Sequence, residues 1–369
     1  MSPAISVGAN IYKLRKEARL TQDDLASYLG VTKASVSKWE TGQSYPDIEL
    51  LPRIATYFDT TLDKLVGYEP QMSRAGIRRE CARLRAAFAN ESFAQAHERC
   101  QELVRDYYSC YPLLAQIAVL YLNHLDLAKG AEREQLADEA IGLCHRIRQN
   151  STLSVEMKMA EAVEAGFLLA TGNPQATVET LGGAPDVQLG TDVLLANAYG
   201  ALGQVEEADR VLQGALFQSI VLSLNYLAQM AMLYAANPEK LEIAHNRAIA
   251  IIEAFALEDV YVNTAAAYLS FAAAFMMSGN AQRALDCLED YERACRKLEF
   301  PIVLHGDAFF DKTEAWLEEV NDLGTSAPRD EALVKKSLVE EVVANPVFAP
   351  LAGDSRFKRI VKSLKAIAR

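Results

Sequence analysis

The 369-residue sequence has no C-x-x-C pair among its six cysteines, only two tryptophans, no run of alternating β-branched residues between turn signals, and no positive net charge. The missing alternation removes sheet-based classes and leaves an all-α chain. A formal charge of -12 argues against a protein that coats nucleic acid over its whole surface. One small basic face remains compatible, because screening acts within about 8 Å at physiological salt. There is no G-x-S-x-G, no glycine-rich phosphate loop and no H-E-x-x-H, so no catalytic constellation emerges and no cofactor is expected. His97 with Cys100, and Cys144 with His145, lack a second pair at ligand spacing, so no metal is expected either. The start, MSPAISVGAN, lacks the basic-then-apolar pattern of a secretory signal. The cysteines therefore read as reduced, buried thiols in a cytoplasmic protein. The apolar stretch 260–277 is interrupted by Asn263, Thr264 and Ser270 and is dominated by alanine. It reads as a helix buried in a stack, with no membrane partner.

What is present is helical periodicity, punctuated by short breakers such as GQSYPD, GYEP, TGNP, ANPEK and SGN. GYEPQ closes an opening globule, residues 1–70, with helices expected near 5–19, 21–29, 33–41, 47–57 and 61–66. Beyond it the helices come in pairs. In LANAYGALGQVEEADRVLQGAL and LSFAAAFMMSGNAQRALDCLEDY an aromatic precedes a glycine by four, and an alanine follows it by five: Tyr199, Gly203, Ala208 and Phe275, Gly279, Ala284. The glycine lets the chain leave the first helix, and the small alanine lets the returning helix pack closely. A further pair is expected around LAQMAMLYAANPEKLEIAHNRAIAII, and weaker ones at FLLATGNPQATVETL and FANESFAQAHERCQELV. The resemblance of these pairs to the tetratricopeptide repeat implies an α-solenoid over residues 71–345, in roughly six or seven hairpins. The basic, amphipathic segment 346–369 offers Phe348, Leu351, Phe357, Ile360, Val361 and Leu364 to cap it, the alternative being a basic tail that touches DNA.

The run LGVTKASVSKWETGQSYPD places two lysines and a tryptophan on one short helix. On a helical wheel Thr32, Ser35, Val36 and Trp39 share one side, expected to pack against Leu25, Leu29, Ile48 and Ile54. Lys33, Ala34, Ser37, Lys38 and Thr41 share the other, which has donors and almost no apolar bulk. Lysine can donate to guanine, serine can donate or accept, and alanine can meet a thymine methyl. TQDDLASYLG before it carries an acidic capping box, Thr21 with Asp24, and Gly30 supplies the turn. Gln22 is placed to grip a phosphate, with Arg15, Lys16 and Arg19 adding backbone contacts. The run Arg74, Arg78, Arg79, Arg83 and Arg85 reads as a solvated first array helix, or else as a DNA-flank contact.

Residues 11–65 resemble the Xre/Cro-type helix-turn-helix of bacterial and phage regulators, through L-T-Q-x-x-L-A, L-G-V-T, S-V-S-K-W-E-x-G, Y-P-D and L-D-K-L. The resemblance implies Gln22 and Thr32 on phosphate, and Lys33, Ala34, Ser37 and Lys38 toward bases. Ala34 departs from the more polar residues often found there, which leaves readout resting on the two lysines. The paired helices resemble the tetratricopeptide repeat, implying a concave wall that binds peptides or helices. Together the fold is an all-α, five-helix helix-turn-helix domain followed by a tetratricopeptide-like α-solenoid. That combination resembles the peptide-responsive quorum-sensing regulators of Gram-positive bacteria. It implies a short peptide or other small ligand in the solenoid groove; because one head reads only a half-site, a homodimer on a double-stranded DNA operator is expected. Asn197, at the inward-facing position two residues before Tyr199, is then the first candidate to clamp the peptide backbone. Asn225 and Asn263, each early in an expected groove-lining helix, stand behind it; the alternative is that they cap or hydrate helices. The rival expectation is an adaptor whose solenoid docks a partner protein while the DNA-binding head localises it.

Overall fold

The computed structural model describes residues 6–68, 71–185 and 187–368. Among them there are helices, turns and one isolated antiparallel bridge, Val303 with Ser326, and no strand. The chain packs as two compact units, Met1–Gly76 with His97–Leu114, and Ile77–Ala96 with Ala115–Arg369. The first unit thus runs past the expected boundary at 70 and recruits a later segment. Gln71 donates to the Ser109 carbonyl at 3.0 Å, and the Met72 amide meets the Cys110 sulfur at 3.3 Å. Ile5, and Glu69 with Pro70 of the expected linker, lie outside the described residues.

The head contains α1 (Val7–Glu17), α2 (Gln22–Leu29), α3 (Lys33–Glu40), a 3-10 turn Ile48–Leu50 running into α4 (Leu51–Tyr57), and α5 (Leu62–Val66). Its core joins Val7, Ile11, Leu25, Leu29, Val36, Trp39, Ile54 and Leu65. Ile48, expected in that core, is 78% exposed because the 3-10 turn rotates it outward. Thereafter come α6 (Arg74–Asn90), α7 (Phe93–Asp106), α8 (Tyr111–Asn123), α9 (Ala131–Asn150), α10 (Ser154–Ala170) and α11 (Pro174–Leu181). They are followed by α12 (Thr191–Ala201), α13 (Val205–Leu233), α14 (Pro238–Ala254), α15 (Leu257–Val260), α16 (Thr264–Met277) and α17 (Ala281–Lys297).

In the second unit α9 packs on α10, α10 on α11, α12 on α13, α13 on α14 and α16 on α17. Gly172, Gly203 and Gly279 turn the α10–α11, α12–α13 and α16–α17 hairpins, all at positive φ (80°, 76° and 79°). Ala284 is fully buried in α17 against α16, as the spacing requires. Two expectations are corrected. First, α13 is one 29-residue helix serving both as the return helix of one pair and the outgoing helix of the next. No glycine or proline stands between Gly214 and Pro238 to break it. By length and composition α13 is also the one described helix able to cross a membrane, whereas 260–277 divides into α15 and α16.

Second, the hairpin pattern stops at α17 rather than continuing to 345. A mostly irregular strap, 298–330, follows, containing only α18 (Thr313–Val320). The strap lies on α13, where Trp316 packs over Gly214, Gln213 bonds Asp311 and the Lys312 amide, and Phe310 is buried beside Phe217. It also takes up part of the basic run of α6. Arg78 donates to the Asp322 and Glu318 carbonyls at 3.1 and 2.9 Å and pairs with the Glu318 carboxylate, while Arg85 donates to the Ala327 carbonyl. Those two arginines are therefore structural. The chain ends with α19 (Glu331–Val343), a 3-10 turn Pro346–Leu351 and α20 (Ser355–Ile367). Phe348, Leu351, Phe357, Ile360 and Leu364 enter the core, α20 lies on α17 and α19, and Arg356 pairs with Glu289 and Asp286. All six cysteines are buried, and burial pushes the thiols of Cys81, Cys144, Cys287 and Cys295 up to about 12.

Candidate nucleic-acid interface

The geometry of α2 and α3 begins with their caps. The Thr21 hydroxyl oxygen accepts from the Asp24 amide at 3.2 Å, and the Asp24 carboxylate accepts from the Thr21 amide at 2.7 Å. That reciprocal bond holds the Asp24 carboxyl below the usual carboxylate range. Gly30 ends α2 in the left-handed region at φ 74°, so a side chain there would strain the turn although space is open. Thr32 then caps α3, its oxygen accepting from the Ser35 amide at 3.1 Å.

Packing fixes the rotation of α3. Val36 is fully buried and Trp39 is 5% exposed, while Lys33, Ala34 and Lys38 are exposed and Ser37 is half-buried. The α1 backbone comes so close to α3 that a Cβ on Gly8 would lie 1.9 Å from the Trp39 carbonyl oxygen. Nothing in the local pattern around Gly8 signals that approach, since Trp39 stands on a different helix, α3.

Arg15, expected on phosphate, is instead inside the head. Its Nε and one terminal nitrogen donate to the two Glu40 oxygens at 2.6 and 2.8 Å, and the other nitrogen donates to the Leu20 carbonyl at 2.8 Å. The guanidinium is committed, with only 6% of the side chain exposed, so it holds α1 to the end of α3. Gln22 also donates to Glu40, at 2.8 Å, which fixes its amide at the start of α2. Burial works against the Glu40 charge, but the hydrogen bonds from Arg15 and Gln22 outweigh it and hold the carboxyl below its ordinary range. Glu40, and Arg53, which donates to the Tyr28 and Leu29 carbonyls at the end of α2, were not singled out by the sequence pattern.

The exposed side of α3 carries its own restraint. Lys33 Nζ meets Asp23 Oδ2 at 2.7 Å, both side chains being exposed. Such a surface pair is worth about 0–1 kcal/mol, so it opens readily. Lys38 stands in the last turn, and Thr32 and Gln22 mark the starts of α3 and α2. The structure thus brings Lys33, Ala34, Ser37 and Lys38 onto one accessible helix side flanked by two helix N-termini. In the second unit Asn225 and Asn263 converge, both amides donating to the Tyr261 hydroxyl at 3.3 Å. Asn197 is exposed on α12 and takes no part in that cluster.

This capped, glycine-turned pair with a buried tryptophan defines a helix-turn-helix domain, and residues 11–65 match the family model of that description. It is of the Xre type. Over 65 residues the chain is 38% identical to the HTH-type transcriptional activator BcrR of Enterococcus faecalis, covering 18% of this chain and 32% of that protein. Over 63 residues it is 36% identical to the HTH-type transcriptional regulator AnsR of Bacillus subtilis, covering 17% and 54%. The match therefore spans from a third to about half of the relatives' length. Among solved structures, the apo competence regulator ComR of Streptococcus vestibularis aligns over 87% of this chain and 99% of its own at 14% identity, with a TM-score of 0.30. PlcR of Bacillus thuringiensis, in complex with the peptide PapR7 and DNA, aligns over 80% and 96% at 13% identity, also with a TM-score of 0.30. Superpositions that loose define no shared geometry.

Proposed function

We propose that the chain is a sequence-specific DNA-binding transcriptional regulator whose helical-repeat unit dimerises and senses a ligand, a short peptide. The observation that carries the DNA reading is the partition of α3: Trp39 and Val36 inside, Lys33, Ala34 and Lys38 outside. Entering a major groove, that side would offer the lysines to guanine edges and Ala34 to a thymine methyl, with Gln22 and Thr32 on the flanking phosphates. One such head reads a half-site, and two related by a dyad make an operator clamp. Asn225 and Asn263, gathered on Tyr261, are the better-placed of the three ligand candidates, since two amides there can exchange the tyrosine hydroxyl for a peptide backbone. A ligand acts only by binding one arrangement of the heads better than another.

The test is a titration with the DNA upstream of the protein's own gene at several salt concentrations. A regulator shows sequence-specific binding whose affinity falls steeply with salt. Equal affinity for unrelated duplexes would defeat the reading.

A further inference from the structure

Among the described residues, one face of α13 is left uncovered. Leu212, Leu216, Ser219, Ser223, Tyr226 and Met230 recur at spacings of 4, 3, 4, 3 and 4, which puts them within one narrow stripe of the helix. The four large members are exposed, Tyr226 by 60% and Met230 by 39%. The opposite face is built into the core through Phe217, Ile220, Leu224 and Ala228. That one-sided burial argues against a membrane span, despite the helix's length and apolar composition.

The stripe is palindromic. About a point beside residue 221, Leu212 mirrors Met230, Leu216 mirrors Tyr226, and Ser219 mirrors Ser223. Large side chains lie outward and small ones at the centre, where two crossing helices approach closest. The serine hydroxyls already donate within their own helix, Ser219 to the Ala215 carbonyl at 2.9 Å and Ser223 to the Ser219 carbonyl at 2.7 Å. Covering them leaves no polar group stranded. No charged residue occurs from Val211 to Ala236, so the face carries nothing to select an acidic or basic partner. Large apolar side chains at these exposures offer on the order of 100 Å² each. With Leu222 and Leu233 alongside, the six offer roughly 600 Å², about three quarters of the roughly 800 Å² that one partner gives to a standard interface.

We propose that α13 pairs antiparallel with α13 of a second copy of this chain, the two-fold axis passing beside residue 221. A self-complementary patch is what an isologous two-fold contact requires. The pairing rests on the homodimer of the proposed regulator for its purpose, since it would carry two heads on one dyad, but its geometry is independent of DNA.

The experiment uses the full chain with Leu212→Cys, Met230→Cys, and both together, oxidised under native conditions. The native cysteines are buried and do not compete. Residues 212 and 230 are separated by about 27 Å along the helix, far beyond disulfide reach. The antiparallel pair predicts covalent dimer in the double variant and none in either single variant. It also predicts that Leu216→Glu with Tyr226→Glu, both at exposed positions, keeps the helical spectrum but sediments as one chain. Cross-linking of the single variants, no cross-link in any variant, or a monomer that partitions onto phosphatidylglycerol vesicles would overturn it. Covalent dimer without specific DNA binding would sink the regulator reading alone; specific DNA binding without covalent dimer would sink the pairing alone.

Discussion

Arg15 and Glu40 are joined by two charge-assisted hydrogen bonds, 2.6 and 2.8 Å, that tie the first helix to the end of the third. Gln22 adds a third bond to the same carboxylate at 2.8 Å, so three helices meet at one buried ion pair. The orientation of the exposed lysine side follows from this clamp together with the buried tryptophan.

Removing one partner strands the other charge. Arg15→Ala should destabilise the head by about 3–5 kcal/mol, whereas replacing Arg15 by Met and Glu40 by Leu together should recover most of that loss. Denaturant unfolding followed by Trp39 fluorescence in a Trp316→Phe background reports the head specifically, since the chain has only two tryptophans. A double variant no better than Arg15→Ala would contradict the clamp.

The same carboxylate sets a pH dependence. Glu40 and Asp24 both sit below their ordinary range, Glu40 despite its burial and because of Arg15 and Gln22, Asp24 through the Thr21 amide and hydroxyl. A depressed carboxyl contributes stability above its unfolded pKa and loses it as pH falls through the folded one. The head should therefore weaken on acidification below about pH 4.5, and Glu40→Gln should flatten that decline. An unaltered slope in the variant would remove Glu40 from the account.

Lys33 is held by Asp23 at 2.7 Å, both exposed. Asp23→Asn should release the ammonium and take a negative charge from the DNA-facing side, raising affinity for the operator by up to about fivefold. Filter binding or anisotropy at fixed salt checks this. Reduced affinity would mean that the carboxylate positions Lys33 for its contact.

The head was legible because its signals are local. Thr21, Gly30, Thr32 and the wheel position of Trp39 each act within a turn or two, and helices, caps and burial follow from them. Arg15 was not legible, because its partner lies 25 residues away and a basic residue near a helix-turn-helix reads equally as a phosphate contact. In the second unit the pattern marked where chains turn at Gly203 and Gly279, yet an assumed hairpin boundary hid the continuity of α13. The strap was missed because its contacts, Arg78 with Glu318 and Gln213 with Asp311, join segments that no periodicity relates. Asn225 and Asn263 came together only through Tyr261, a residue with no pattern of its own.

The most direct measurement is operator affinity for Lys33→Ala and Lys38→Ala against a panel of single-base-pair substitutions. A lysine that reads a guanine should cost about 1–3 kcal/mol when truncated, and discrimination should relax at one base pair, with protein stability unchanged. Wild-type affinity and wild-type preference in both variants would contradict the assignment of this helix side to DNA.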